Sequence, residues 1–217
     1  MRKVIEHSKL SAKDEFELHK RHTIPKSNVL VDYSKESKNI NDVLHKAHKG
    51  EDPHAGRLKE YAQKLHLTIE QLSSTMDGVR TTEPIEVFTG IKFSPIDKWK
   101  ERKVDLSMPI VMHNPAFTST TTSIDVALKF AVFVPTPIAS MGVKNQSEFK
   151  SGSVMCKNVL KMMIPEGYNA GSLLESSVLK FEKEFLVQKG MDLRIHPKPE
   201  FHLEGGKAVL VWQCEII

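Results

Sequence analysis

The hydrophobic pattern of the chain changes period at about residue 81, and that switch limits the fold more than any single motif. Before it, apolar residues recur at helical spacing in a polar background. Ser11 is a suitable cap for a helix over 11–19, and 40–48 and 55–67 are amphipathic stretches broken at Gly50 and Pro53. Thr68, with Gln71 three residues on, predicts the start of another short helix. After the switch the chain runs in short β-rich segments at 85–93, 116–120, 153–164, 172–176, 184–188, 191–196 and 208–216. One helical pattern interrupts them, at 124–131, behind a hydroxyl-rich start. The expectation is an α+β molecule in which a helical segment, 1–80, packs on a core formed by 81–217. A chain of 217 residues can bury such a core.

Composition excludes several classes. A net charge of +4 permits attraction to anionic partners, but the basic residues are scattered and only 7% of the chain is aromatic, so no stacking platform for bases is visible. No run approaches the roughly 18 apolar residues needed to cross a bilayer, and residues 1–7 lack the apolar segment of a secretory signal. The expectation is action inside a cell, without membrane attachment. Cys156 and Cys214 form no Cys-x-x-Cys pair and read as free buried thiols. His45, His48 and His54, beside Glu51 and Asp52, are too loosely spaced for a metal site and read as solvated histidines. Gly205 and Gly206 read as a hairpin turn, since no helical pattern follows them.

The chemistry concentrates in Phe181-Glu182-Lys183-Glu184-Phe185-Leu186-Val187. In an extended segment Glu182 and Glu184 would share one face and line one cleft. Like charges that close raise each other's pKa unless a cation or donors sit between them. A Glu-Lys-Glu run on a surface strand is ordinarily solvated charge, and context decides against that here. Upstream lie Val87-Phe88-Thr89-Gly90-Ile91 and then Phe117-Thr118-Ser119-Thr120-Thr121, followed by Ala127-Leu128-Lys129-Phe130-Ala131. A first strand, a hydroxyl strand with its helix, and an acidic strand, in that order over residues 84–217, resemble the R-S-E class of mono-ADP-ribosyltransferases. Among that class the chain looks most like the bacteriophage Alt and Mod group.

The resemblance implies an ADP-ribosyltransferase fold, with two packed, mostly antiparallel sheets, flanking helices and the N-terminal helical layer. It implies NAD as substrate, no metal, and transfer of ADP-ribose to a macromolecule. Glu184 would meet the ribose, Ser119 would orient Glu184, and Glu182 would hold the acceptor. A glutamate at that position points to arginine side chains of host proteins, transcription or translation proteins among them, modified in the host-cell cytoplasm; RNA stays open as a partner. Cofactor contacts would come from Thr89, Gly90, Ser119, Thr120 and Thr121, with Phe133 or Phe149 near nicotinamide. The first strand departs from the pattern, because Thr89 stands where the class usually has a phosphate-binding arginine. Arg57 and Arg80 are the first candidates to replace it, with Arg102 behind them. Lys92, three residues from Thr89 along a strand, should face away. Two other readings stay open: a protein of this fold that binds without catalysis, and a secreted toxin or effector.

Overall fold

The computed structural model describes residues 10–137, 154–177, 183–204 and 207–217. Helices α1 (Ala12–Arg21), α2 (Asn28–His48) and α3 (Lys59–Asp77) come first. Then follow β1 (Ile85–Ile91), α4 (Pro95–Arg102), β2 (Ile110–Asn114), β3 (Thr118–Thr121), α5 (Ile124–Phe130) and β4 (Phe133–Thr136). The chain closes with β5 (Val154–Ile164), β6 (Ala170–Ser172), β7 (Glu184–Val187), β8 (Met191–Ile195), β9 (Glu200–Glu204) and β10 (Lys207–Ile216).

The strands hydrogen-bond in the order β2-β8-β10-β5-β1-β3-β7-β6, with β4 beside β5 and β9 beside β10. Only β5 and β10 run parallel among the described ladders. The link between β1 and β3 is a single registered pair, Phe88 opposite Thr121, and it joins the β2-β8-β10-β5-β1 half of the sheet to the β3-β7-β6 half. Val87, Leu160, Met162, Leu210 and Trp212 of one half share a core with Phe185 and Val187 of the other. The opposite face of β5 and β10 is covered by α5, whose Ile124, Ala127 and Leu128 meet Phe88, Val159, Val209 and Val211. Buried on both faces, β10 carries the continuous apolar run 208–212, while β5 interrupts its apolar residues with Lys157, Asn158 and Lys161.

Helices α2 and α3 bury one stripe each. Leu30, Tyr33, Ile40 and Val43 of α2 and Leu65, Ile69, Leu72 and Met76 of α3 pack against Phe117, Leu173 and Leu186. Helix α1 starts where its sequence predicts, with the Ser11 hydroxyl accepting from the Asp14 amide. Thr68 does not start a helix. It lies inside α3, its hydroxyl donating to the Lys64 carbonyl one turn back, which satisfies it mid-helix. Also not foreseen were α4, β2, β4 and β9, while the run expected at 172–176 gives a strand only over Ala170–Ser172. Cys156 and Cys214 are free and buried, and burial pushes their thiols up to about 11 and about 12. No helix among the described residues is long and apolar enough to cross a membrane.

Gly90 fixes how closely α5 approaches β1. A Cβ there would lie 2.2 Å from the Ala127 carbonyl oxygen and 2.5 Å from the Ala131 nitrogen, both backbone atoms that cannot step aside. Gly90→Ala should therefore destabilise the protein by about 1–3 kcal/mol or more, read as a lower urea midpoint. An unchanged midpoint would show that α5 can shift without cost.

Candidate active site

Strand β3 pairs antiparallel with β7 in the register Thr118 with Val187, Ser119 with Leu186, Thr120 with Phe185 and Thr121 with Glu184. Directly opposed residues share a face, so Thr121 stands beside Glu184 with Ser119 next along it. The same register turns Thr120 and Phe185 the other way, and the Thr120 hydroxyl donates to the Phe185 carbonyl at 2.9 Å. Strand β1 adds Thr89, whose hydroxyl donates to the Ser119 carbonyl at 3.0 Å and ties the first strand to the hydroxyl strand.

These residues line one cavity of about 450 Å³, within the usual range for a small-molecule pocket. Its wall comprises Phe88, Thr89, Gly90 and Lys92 from β1 and its end, Ser119, Thr120 and Thr121 from β3, Val126, Ala127 and Phe130 from α5, and Glu184. Helix α2 closes it with Ser34, Ser37 and Asn41, one polar stripe at helical spacing. Glu184 is buried, at 8% exposure. Behind the wall, the fully buried Tyr33 places its hydroxyl 3.2 Å from the Ser119 hydroxyl, and burial pushes the phenol up to about 12. Tyr33 therefore stays neutral and braces Ser119.

The extended backbone of β7 stops at Glu184, because Lys183 adopts a left-handed conformation with φ of 47°. The alternation that would align Glu182 with Glu184 does not run through it. Glu182 itself, like Phe149, lies outside the described residues.

Four of the expected contacts, Thr89, Gly90, Ser119 and Thr121, come together with Glu184; Thr120 borders the same cavity, but its hydroxyl is committed to the Phe185 carbonyl. The cations expected to replace the missing arginine do not. Arg57 pairs with Asp42 at 2.7 Å and donates to the Pro53 carbonyl, and Arg80 donates to the Asp77 and Val79 carbonyls. Arg102 is spent on the Val111 carbonyl. Lys92 reaches the cavity instead. Strand β1 ends at Ile91, so strand alternation does not govern where Lys92 points. Phe133 is likewise absent from the wall; it opens β4, with the Lys157 and Lys207 ammonium groups 5.4 Å and 5.2 Å from its ring centre. The aromatic residues in the wall are Phe88 and the half-exposed Phe130.

A sequence model described as ADP-ribosyltransferase exoenzyme matches residues 8–211. Solved structures share the fold. Plx2a, an ADP-ribosyltransferase toxin from Paenibacillus larvae, is similar with a TM-score of 0.58 at 12% identity, over 94% of this chain and 92% of its own. C3stau2 from S. aureus, solved with NAD, gives 0.56 at 12% identity over 96% and 97%. BECa, the ADP-ribosylating toxin of a binary enterotoxin of C. perfringens, solved with NADH, gives 0.57 at 16% identity. That match takes in 94% of this chain but 46% of BECa, so this chain spans about half of its length. The architecture is thus an ADP-ribosyltransferase fold, as the motifs implied. No curated protein matches the chain in sequence.

Proposed function

The chain belongs to the ADP-ribosyltransferase exoenzyme family, whose substrate is NAD, and from that premise we propose that it transfers ADP-ribose from NAD to arginine side chains of proteins. The observation that carries this reading is the juxtaposition of Glu184 with Thr121 and Ser119 in one cavity. The bond between nicotinamide nitrogen and ribose C1′ breaks, its electron pair staying with the ring and cancelling the ring's positive charge. The ribose then develops oxocarbenium character, as in glycoside hydrolysis. Glu184, held in a mostly buried position, supplies fixed negative charge beside that cation and accepts from the ribose 2′-hydroxyl. A guanidinium nitrogen of the acceptor bonds to C1′ and gives up a proton, for which Glu182 is the proposed base. Arginine suits a carboxylate at that position because guanidinium and carboxylate pair bidentately.

The pyrophosphate of NAD is anionic and needs a cation. Every described arginine is engaged elsewhere: Arg21 with Glu83, Arg194 with Glu215, and Arg57, Arg80 and Arg102 as above. Lys92 is the one cationic side chain in the cavity wall among the described residues, and it is the phosphate-binding cation we assign. Action in the cytoplasm of a cell whose proteins are modified, and a bacteriophage source, remain part of the proposal. The separation of an N-terminal layer, 1–80, from the core, 81–217, belongs to it too.

Glu184→Gln should lower turnover of NAD by about a hundredfold or more with the circular dichroism unchanged. Nicotinamide release with agmatine as acceptor measures it, and a fully active variant would remove Glu184 from the reaction. Glu182→Gln should suppress transfer to agmatine more than hydrolysis by water; equal loss of both would take the acceptor side away from Glu182. Tight NAD binding without any nicotinamide release would favour the reading of a binding protein on this fold.

Calorimetric titration with NAD checks the cation. Lys92→Gln should weaken binding roughly tenfold to hundredfold, the equivalent of about 1.5–3 kcal/mol for one charge-assisted contact. Arg57→Ala and Arg80→Ala should leave it unchanged. An equal loss in either arginine variant would overturn the assignment of Lys92.

A further inference from the structure

Helix α1 sends two side chains from one face, Glu15 and His19, towards the start of β7, and both are buried, at 9% and 3% exposure. Glu15 is ion-paired through Oε2 with Lys183, the residue before Glu184. Its other oxygen accepts from the Thr122 hydroxyl at 2.6 Å, and Thr122 follows the Thr121 that opposes Glu184. His19 Nε2 lies 3.2 Å from the same hydroxyl, and Nδ1 lies 2.7 Å from the hydroxyl of Ser172, which pairs with Phe185. The His19 ring itself packs on Phe185, centroid to centroid 4.7 Å. One carboxylate and one imidazole thus hold both flanks of Glu184.

Proton accounting gives this network a single direction. The Thr122 hydroxyl has one hydrogen, and Glu15 takes it, so His19 Nε2 must donate to Thr122. In a neutral imidazole Nδ1 then accepts from Ser172. Such a ring carries its hydrogen on Nε2. Burial agrees, driving the group down to about 4 against the opposing pull of Glu15 and with help from Lys183 and His22. Burial also pushes Glu15 up, but the hydrogen bonds from Lys183 and Thr122 outweigh it and hold the carboxyl ionised.

Lys183 shows what the network is for. Its φ of 47° is a conformation that residues with a Cβ rarely adopt, and such backbones persist only where the surroundings over-determine them. We infer that Glu15 and His19 are positioning residues: pinned to α1, Lys183 holds the left-handed turn from which Glu184 enters the cavity. The inference rests on the reaction assigned above to Glu184.

Steady-state nicotinamide release tests it. Glu15→Gln, which keeps an acceptor for Thr122 but loses the charge, should lower kcat roughly tenfold to hundredfold with KM for NAD unchanged, as expected when a reacting group is misplaced. Lys183→Met should do the same, and the double variant should be no worse than either single one. Additive losses, a wild-type kcat in Glu15→Gln, or a change confined to thermal stability would overturn the assignment. Nitrogen NMR supplies a readout independent of turnover. At pH 7 His19 should show the Nε2–H tautomer, and Glu15→Gln should speed hydrogen exchange at the Glu184 amide; an Nδ1–H tautomer or unchanged exchange would refute the network. A wild-type chain that released no nicotinamide would defeat the proposed reaction, while the NMR result would still decide whether α1 sets Glu184.

Discussion

Register between β3 and β7 is the constraint on which the site depends. Four residues of each strand are paired: Phe185 and Val187 turn to the core shared with Leu210 and Trp212, while Leu186 turns to the core under α2 and α3 and Ser119, Thr121 and Glu184 turn to the cavity. A slip of one residue would exchange those faces along the whole ladder. Glu184 would then enter the core that Phe185 and Val187 now share with Leu210 and Trp212, an uncompensated charge in apolar surroundings. Phe185, fully buried, and the Thr120 hydroxyl on its carbonyl hold the register from the core side. The packing that stabilises the strand also selects which carboxylate faces the ligand.

Polar character reaches the cavity from three directions. Strand β3 brings hydroxyls, α2 brings Ser34, Ser37 and Asn41, and β1 brings Thr89, while α5 and Phe88 keep one side apolar. The helical layer is therefore part of the site's wall. Helix α2 buries Tyr33 against Phe117 through the same turns that present its serines to the cavity, so one helix serves packing and ligand contact on adjacent stripes.

Much of this was legible in the sequence because it follows from local periodicity. The hydroxyl strand and the helix behind it are contiguous in sequence, and each of these motifs, like the acidic strand from Glu184 on, is a short local run. Ser11 marked the start of α1 because a cap is a contact within one turn. What escaped depended on where elements start and stop, or on which neighbouring groups would engage a given side chain. Lys92 was dismissed by strand alternation that ends one residue earlier. Arg57 and Arg80 were favoured as free cations, yet a nearby carboxylate and nearby carbonyls engage them. The Ser34, Ser37 and Asn41 stripe carried a helical signal that could have been read, although nothing local said which face it would meet. Thr68 looked like a cap because hydroxyls favour helix starts, and it sits mid-helix because α3 supplies it a carbonyl.

The position of β10 has a consequence for when the molecule can exist in working form. It is made last of the described strands, yet it lies between β8 and β5, parallel to β5 and buried on both faces. While the ribosome has still to release residues 207–216, β5 lacks a neighbour and the layer under α5 lacks Val209 and Val211. A nascent chain would hold its hydroxyl and acidic strands without the platform beneath them, and such non-local pairing closes slowly. Synthesis and competence are thereby separated in time: a finished cavity exists only after residues 207–216 have left the ribosome.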